Sequence, residues 1–342
     1  MKYFIKNLAI YSLFLSTSAL AQSTAQSTPQ VHYPMNFGAS SKVNPQVNTQ
    51  VNPQVNPQVN TQENPQTPTL NQPPVIVSSI NPINQIAKFI SGDDKSNSLL
   101  INPRASERDY VIGPGDIVIL SKADVIFYVS DDLENNLPAA LAKVKTTPKI
   151  VQLIQSKNIQ PLTFQNRKNK ENIDPHIWLN PENAIGIAIE IADTLSALYP
   201  TGSNAYKKNL EQFKVDVRNM DKANKMELLK VRPKSFVMDL NSTIYFEDYY
   251  HMPSAGAIRY DLDYEFTFKE IDAINDMIKR EKVVCVLGSY QERSGLAFQV
   301  AGNNKAKFIL IDIIGGEINY NQNGYTKMMT GLVSDLVKCV GK

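Results

Sequence analysis

From Pro74 onward, short β-branched runs alternate with longer amphipathic stretches. The runs cover 75–77, 125–128, 150–153, 236–238, 283–287 and 308–311. They are apolar at successive positions rather than at every second one, the pattern of strands covered on both faces. Strands of this kind separated by helical stretches predict α/β architecture with parallel sheets. Two helices are plain in the pattern. The first opens with Asn180 as cap and Pro181 in its first turn, carries Ile185, Ile189, Ala192 and Leu195 on one face, and stops near Pro200. The second spans 203–230, with apolar Tyr206, Leu210, Phe213, Val217, Met220, Ala223 and Met226 at steps of three and four. A helix of that length reaches about 40 Å, more than one lobe needs. It predicts a rigid strut joining two α/β halves and disfavours a wide hinge motion.

The segment ahead of Pro74 has a different character. Lys2 and Lys6, a short apolar run over 8–15 and the small residues of Ala19-Leu20-Ala21 mark 1–21 as a secretory signal peptide. The apolar run is too short to span a bilayer. No cysteine follows the expected cut, so no lipid anchor is expected, and the mature chain is expected to be exported to the periplasm as a soluble protein. Residues 22–73 are mostly Gln, Asn, Pro, Thr, Ser and Val, with the near-repeat Val43-Asn44-Pro45-Gln46, Val51-Asn52-Pro53-Gln54, Val55-Asn56-Pro57-Gln58. Such a segment buries too little apolar surface to offset its ordering entropy and reads as a disordered tether. The expected organisation is therefore a signal peptide (1–21), a tether (22–73), an N-terminal lobe (74–201), a linking helix (202–230) and a C-terminal lobe (231–342).

The formal charge is +2, and removing the signal segment takes away two lysines and no acid, leaving a neutral chain. With no basic stripe there is no reason to expect nucleic acid or an anionic membrane as a partner. Cys285 and Cys339, an even pair in an exported chain, favour a structural disulfide over a metal or redox pair.

Several motifs converge on one family. Residues 99–136 read LLINPRASERDYVIGPGDIVILSKADVIFYVSDDLENN, and Asp174-Pro175-His176-Ile177-Trp178-Leu179-Asn180-Pro181 follows further on. The first resembles a segment built on G-A-S-x-H-D-Y, a Pro-x-Asp helix start and A-D ahead of an apolar Phe-Tyr run. The second matches D-P-H-x-W-x-x-P. Together with 80–92, Tyr245-Phe246-Glu247, Gln291 and Asp312 with Gly315, they make the chain similar to the periplasmic solute-binding subunits of zinc and manganese ABC importers. The resemblance implies two α/β lobes bridged by a long helix and one divalent cation, Zn2+ or Mn2+, between them. It also implies delivery of that ion to an inner-membrane ABC permease by a monomer. Neutral imidazole with carboxylate suits zinc, and more oxygen suits manganese.

Carried over residue by residue, the implied ligand set is incomplete. His176 and the carboxylate Asp312 are kept. The first family histidine falls on Arg108, and the third falls on Leu240 or Asp239, depending on where a one-residue shift is placed. Ser289 stands where the family has an acid, and 166–172 carries Arg167, Lys168 and Lys170 in place of a His-rich loop. Guanidinium has no lone pair to give, and a fixed charge about 4 Å from a dication costs on the order of 8 kcal/mol at an effective dielectric of ~20. Two readings follow. In one, Arg108 turns outward and Glu107, His176, Asp239 and Asp312 hold the ion, an oxygen-rich set suited to manganese or iron. In the other, Arg108 pairs with Asp312 in place of the ion, and the protein is a degenerate member with a different ligand or a partner-binding role.

The same residues also have plainer readings. His176 could hold a core turn, Asp312 could cap a strand end, Asp239 could be loop structure and His251 a surface or packing residue. An enzyme is not suggested: no Ser-His-Asp arrangement and no Gly-rich phosphate loop is present.

Overall fold

The computed structural model describes residues 73–163, 173–231, 235–260, 266–291, 294–316 and 323–341. The signal segment, all but the last residue of the tether, and the basic stretch 166–172 lie outside the described residues. The N-terminal half runs β1 (Ile76–Ser78), α1 (Asn81–Ser91), β2 (Asn97–Leu99), α2 (Pro114–Ser121), β3 (Val125–Tyr128), α3 (Leu137–Leu141), β4 (Lys149–Gln152) and α4 (Pro181–Leu198). The long α5 (Ser203–Leu229) follows. The C-terminal half runs β5 (Phe236–Leu240), α6 (Ile244–Tyr250), β6 (Ala257–Arg259), α7 (Phe268–Arg280), β7 (Cys285–Ser289), α8 (Gly295–Asn303), β8 (Lys307–Ile311) and α9 (Gly324–Val340).

Among the described residues the strands form two four-stranded sheets, ordered β2-β1-β3-β4 and β6-β5-β7-β8, with every pairing parallel. The central strands β1, β3 and β7 are buried at every position, as their unbroken apolar runs require. The hydrophobic pattern misses β2 and β6 for a physical reason. Each is three residues long and forms a sheet edge, and each carries polar residues (Asn97 and Ser98, Arg259) that an edge tolerates.

Each sheet reverses its winding between its two central strands, so a crevice opens at their carboxyl ends. The segments that follow β1 and β4 of one sheet meet the one that follows β8 of the other. Trp178 Nε1 donates to the Ile313 carbonyl across 2.8 Å, and Asn81 Nδ2 donates to the carbonyls of Ile314 and Gly315 at 2.9 Å each.

α4 forms where its signals place it: Asn180 accepts from the amides of Glu182 and Asn183, and Pro181 takes the first turn. α5 follows its predicted stripe through Met220, after which the buried positions are Asn224 and Leu228. Ala223 and Met226 are exposed instead. Asn224 turns inward because its amide donates to the Tyr250 hydroxyl at 3.3 Å. α5 serves both halves: Phe213 packs on Phe89 of α1 with ring centroids 5.3 Å apart and on Tyr325 of α9 at 5.8 Å. One continuous core runs from β1 through α4 and α5 to α9, and a smaller cluster fills the far side of the second sheet.

Cys285 at the start of β7 is bonded to Cys339 in the last turn of α9, 54 residues away. Closing a loop of that size removes about 4 kcal/mol of unfolded-state entropy in the chain model. Cys285→Ala with Cys339→Ala should therefore lower the unfolding free energy by about 2–4 kcal/mol in chemical denaturation. An unchanged midpoint would show that α9 is held by packing alone.

Candidate metal-binding cleft

The loop between β2 and α2 is held at both ends. Asn102 accepts from the Arg104 amide at its start, and at its far end Asp116 accepts from the Gly113 amide and the Tyr110 hydroxyl. Between these anchors Glu107 points inward and is 7% exposed, while Arg108 is half-buried and Asp109 exposed. Consecutive side chains of an irregular loop point different ways, so the carboxylate, not the neighbouring guanidinium, reaches the interior.

His176 meets Glu107 from the other side. Asp174 accepts both the His176 amide, at 2.8 Å, and the ring Nδ1–H, at 2.9 Å. The imidazole is thereby fixed with Nε2 directed at Glu107 Oε1, 4.0 Å away. That gap is too long for a hydrogen bond. Glu107 Oε2 is buried and has no partner. A histidine whose one ring nitrogen donates to a carboxylate while the other faces an oxygen donor is the arrangement found around metal-bound imidazole. Burial alone lowers the proton affinity of His176. The charge and hydrogen bond of Asp174, with Glu107 behind them, outweigh it and hold the ring above its ordinary value, while Arg108 opposes them. Burial raises Glu107, against the His176 charge, a hydrogen bond from its own backbone and the Arg108 charge.

Asp312 lies just past β8. Its Oδ1 accepts from the amides of Ile314 (3.2 Å) and Gly315 (2.7 Å), an Asx turn completed by Gly315 at φ 75°. Gln291 Nε2 bridges Asp312 Oδ1 and the Pro103 carbonyl, at 3.3 and 3.2 Å, tying the acid to the loop that carries Glu107. Ser289 donates to the Gln291 side chain.

Asp239 is placed differently. Both its oxygens accept from Arg259, at 3.0 and 2.8 Å, in a buried bidentate pair. A cation taking Asp239 would strand Arg259, at about 3–5 kcal/mol. Leu240 ends β5 beside it. No ion pair joins Arg108 to Asp312 among the described residues. Nor do the described residues hold a group of three or more His, Cys, Asp or Glu side chains already arranged as a metal site. His251 is exposed, in a left-handed conformation at the end of α6.

Sequence reasoning missed Glu134, whose one cue is Ser130 four residues earlier. Ser79 Oγ and the amides of Val129 and Ser130 donate to its buried carboxylate. Burial pushes its pKa up to about 7 against those donors, and the Glu107 charge adds to the rise.

A family model described as zinc-uptake complex component A, periplasmic, matches residues 76–339. The chain is similar to the high-affinity zinc uptake system protein ZnuA of Brucella suis, 23% identical over 306 residues, covering 78% of this chain and 92% of that protein. It is also similar to the manganese ABC transporter substrate-binding lipoprotein PsaA of Streptococcus mitis, 28% identical over 214 residues, covering 61% and 69% of the two. A crystal structure of ZnuA superposes with a TM-score of 0.69 at 21% identity, over 78% of this chain and 98% of the other, and so shares the fold.

Because burial raises its folded value above the ordinary carboxylate value of 4.5, Glu134 contributes stability that is full below about pH 4.5 and lost as pH rises through about 7. Between those limits the stability of wild type relative to Glu134→Gln should fall by about 3 kcal/mol. Chemical denaturation at a series of pH values measures it; a flat difference would put the carboxyl at its ordinary value.

Proposed function

Because the chain belongs to the family of periplasmic zinc-uptake complex component A proteins, which are ABC-transporter solute-binding components and not enzymes, we propose that it binds one divalent cation between its two sheets and delivers it to an ABC permease. The observation that carries the reading is the His176 imidazole, fixed by Asp174 with Nε2 facing the Glu107 carboxylate, whose Oε2 is buried without a hydrogen bond. In this reading Glu107 replaces the family histidine lost at Arg108, and Asp312 supplies a carboxylate from the opposite sheet. Asp239 stays with Arg259. One nitrogen and two carboxylates fit zinc, and added water ligands would fit manganese. That no Arg108–Asp312 ion pair forms among the described residues favours this reading over a degenerate member with the guanidinium in place of the ion.

The sequence features ahead of Pro74 support export to the periplasm, and in this reading the protein works as a monomer with 74–201 and 231–342 as lobes on the 202–230 strut. Among the described residues no helix is long and apolar enough to cross a membrane.

The test is titration of the full chain, without a histidine tag and after exchange against chelator, with zinc and with manganese. One equivalent should bind at or below about micromolar, an affinity of roughly 8 kcal/mol. His176→Ala and Glu107→Ala should each abolish that binding, and Asp174→Asn should weaken it by about 10- to 100-fold through loss of ring orientation. A folded wild type that binds neither ion would overturn the proposal.

A further inference from the structure

The acid on the second sheet is not held in place by its own sheet alone. Three successive carbonyls follow Asp312, and each accepts a hydrogen bond from a side chain of the first half: Ile313 from Trp178, and Ile314 and Gly315 from Asn81. Both donors are fixed in turn. Trp178 is fully buried, its ring centroid lies 5.4 Å from that of His176, and its carbonyl accepts from the Tyr325 hydroxyl of α9 at 2.9 Å. Asn81 Oδ1 accepts from Gln85 Nε2 at 3.1 Å. The seam leaves no slack: a Cβ on Gly316 would stand 2.6 Å from the Pro103 carbonyl oxygen, in the loop leading to Glu107.

Trp178 therefore stands two residues from His176, and its bond partner Ile313 stands next to Asp312. The separation of these two candidate ligands is set through one hydrogen bond, with Asn81 holding the turn beyond it. Indole has no lone pair in reach of a cation, and the Asn81 amide is already used at both its ends.

We propose that Trp178 and Asn81 are positioning residues for the cation: they hold the Asp312 turn of one sheet against the His176 turn of the other, and so determine affinity without touching the ion. The role rests on the metal-binding reading above and adds to it the residues that join the two halves of the site.

A double-mutant cycle tests it. Zinc affinity of the full chain is measured by chelator competition for wild type, Trp178→Phe, Asn81→Leu, Asp312→Asn, and each of the first two combined with the third. Phe keeps the aromatic packing and removes only the N–H. Trp178→Phe, which removes one buried hydrogen bond, should weaken zinc binding by about five- to tenfold, and Asn81→Leu, which removes two, by at least as much; neither should add anything once Asp312→Asn is present. A structural role alone would cost the same factor with or without the Asp312 carboxylate, and that result overturns the proposal, as does unchanged affinity. Should Trp178→Phe fail to fold, the Asn81 cycle decides by the same criterion. A wild type that binds no zinc overturns the metal-binding reading itself, whereas zinc binding with additive cycles overturns only the positioning role.

Discussion

A parallel sheet must be covered on both faces, and in this chain covering helices of the two sheets pack on one shared helix. α5 is 27 residues long and packs on α1 of the first half and on α9 of the second, so both sheets draw on a single continuous core. With the halves joined in this way, the loops at the carboxyl ends of both sheets face each other along a fixed seam. Those loops carry Glu107, His176 and Asp312. Trp178 and Asn81 of one half donate to Ile313, Ile314 and Gly315 of the other, and the Tyr245 hydroxyl accepts from the Leu162 amide across the same seam. Separating the halves would expose several buried hydrogen-bonding groups at once. A wide hinge motion fits such a molecule poorly, and smaller movements of the loops fit it better.

The chemistry of the cleft follows from how its charges are partnered. Asp239 has Arg259, and Glu134 has three donors, so neither has an electrostatic need for a cation. Glu107 is less fully satisfied: its Oε2 is buried without a hydrogen bond, and its Oε1 meets an imidazole nitrogen only at 4.0 Å. A buried carboxylate oxygen without a hydrogen bond is costly, and burial raises Glu107 toward the protonated form. A divalent ion between Glu107 and His176 would satisfy both groups. Arg108 weakens that attraction, and its half-exposed position lets solvent screen part of its charge.

Most of the architecture was legible in the chain because it rests on local rules. Buried strands read as β-branched runs, Asn180-Pro181 marks the start of α4, and the three-and-four spacing of Tyr206 to Met220 marks α5. The reading failed where partners distant in sequence decide. The edge strands β2 and β6 exist because a neighbouring strand pairs with them. The inward turn of Asn224 depends on Tyr250, 26 residues on.

For the cleft the division is sharper. The sequence, through its likeness to the family's motifs, singled out His176, Asp312 and the substituted ligand position Arg108, since those are properties of residue identity and order. It also favoured the Cys285–Cys339 bond, because an even pair of cysteines in an exported chain has few other uses. Tertiary structure alone decided that Glu107 points inward, that Asp239 is bound to Arg259, and that Trp178 and Asn81 grip the Asp312 turn. Those outcomes depend on the directions of side chains in irregular loops and on contacts 20 to more than 200 residues apart in sequence, such as Arg259 with Asp239 and Asn81 with Ile314. No local propensity encodes them; packing of the two sheets against a shared core does.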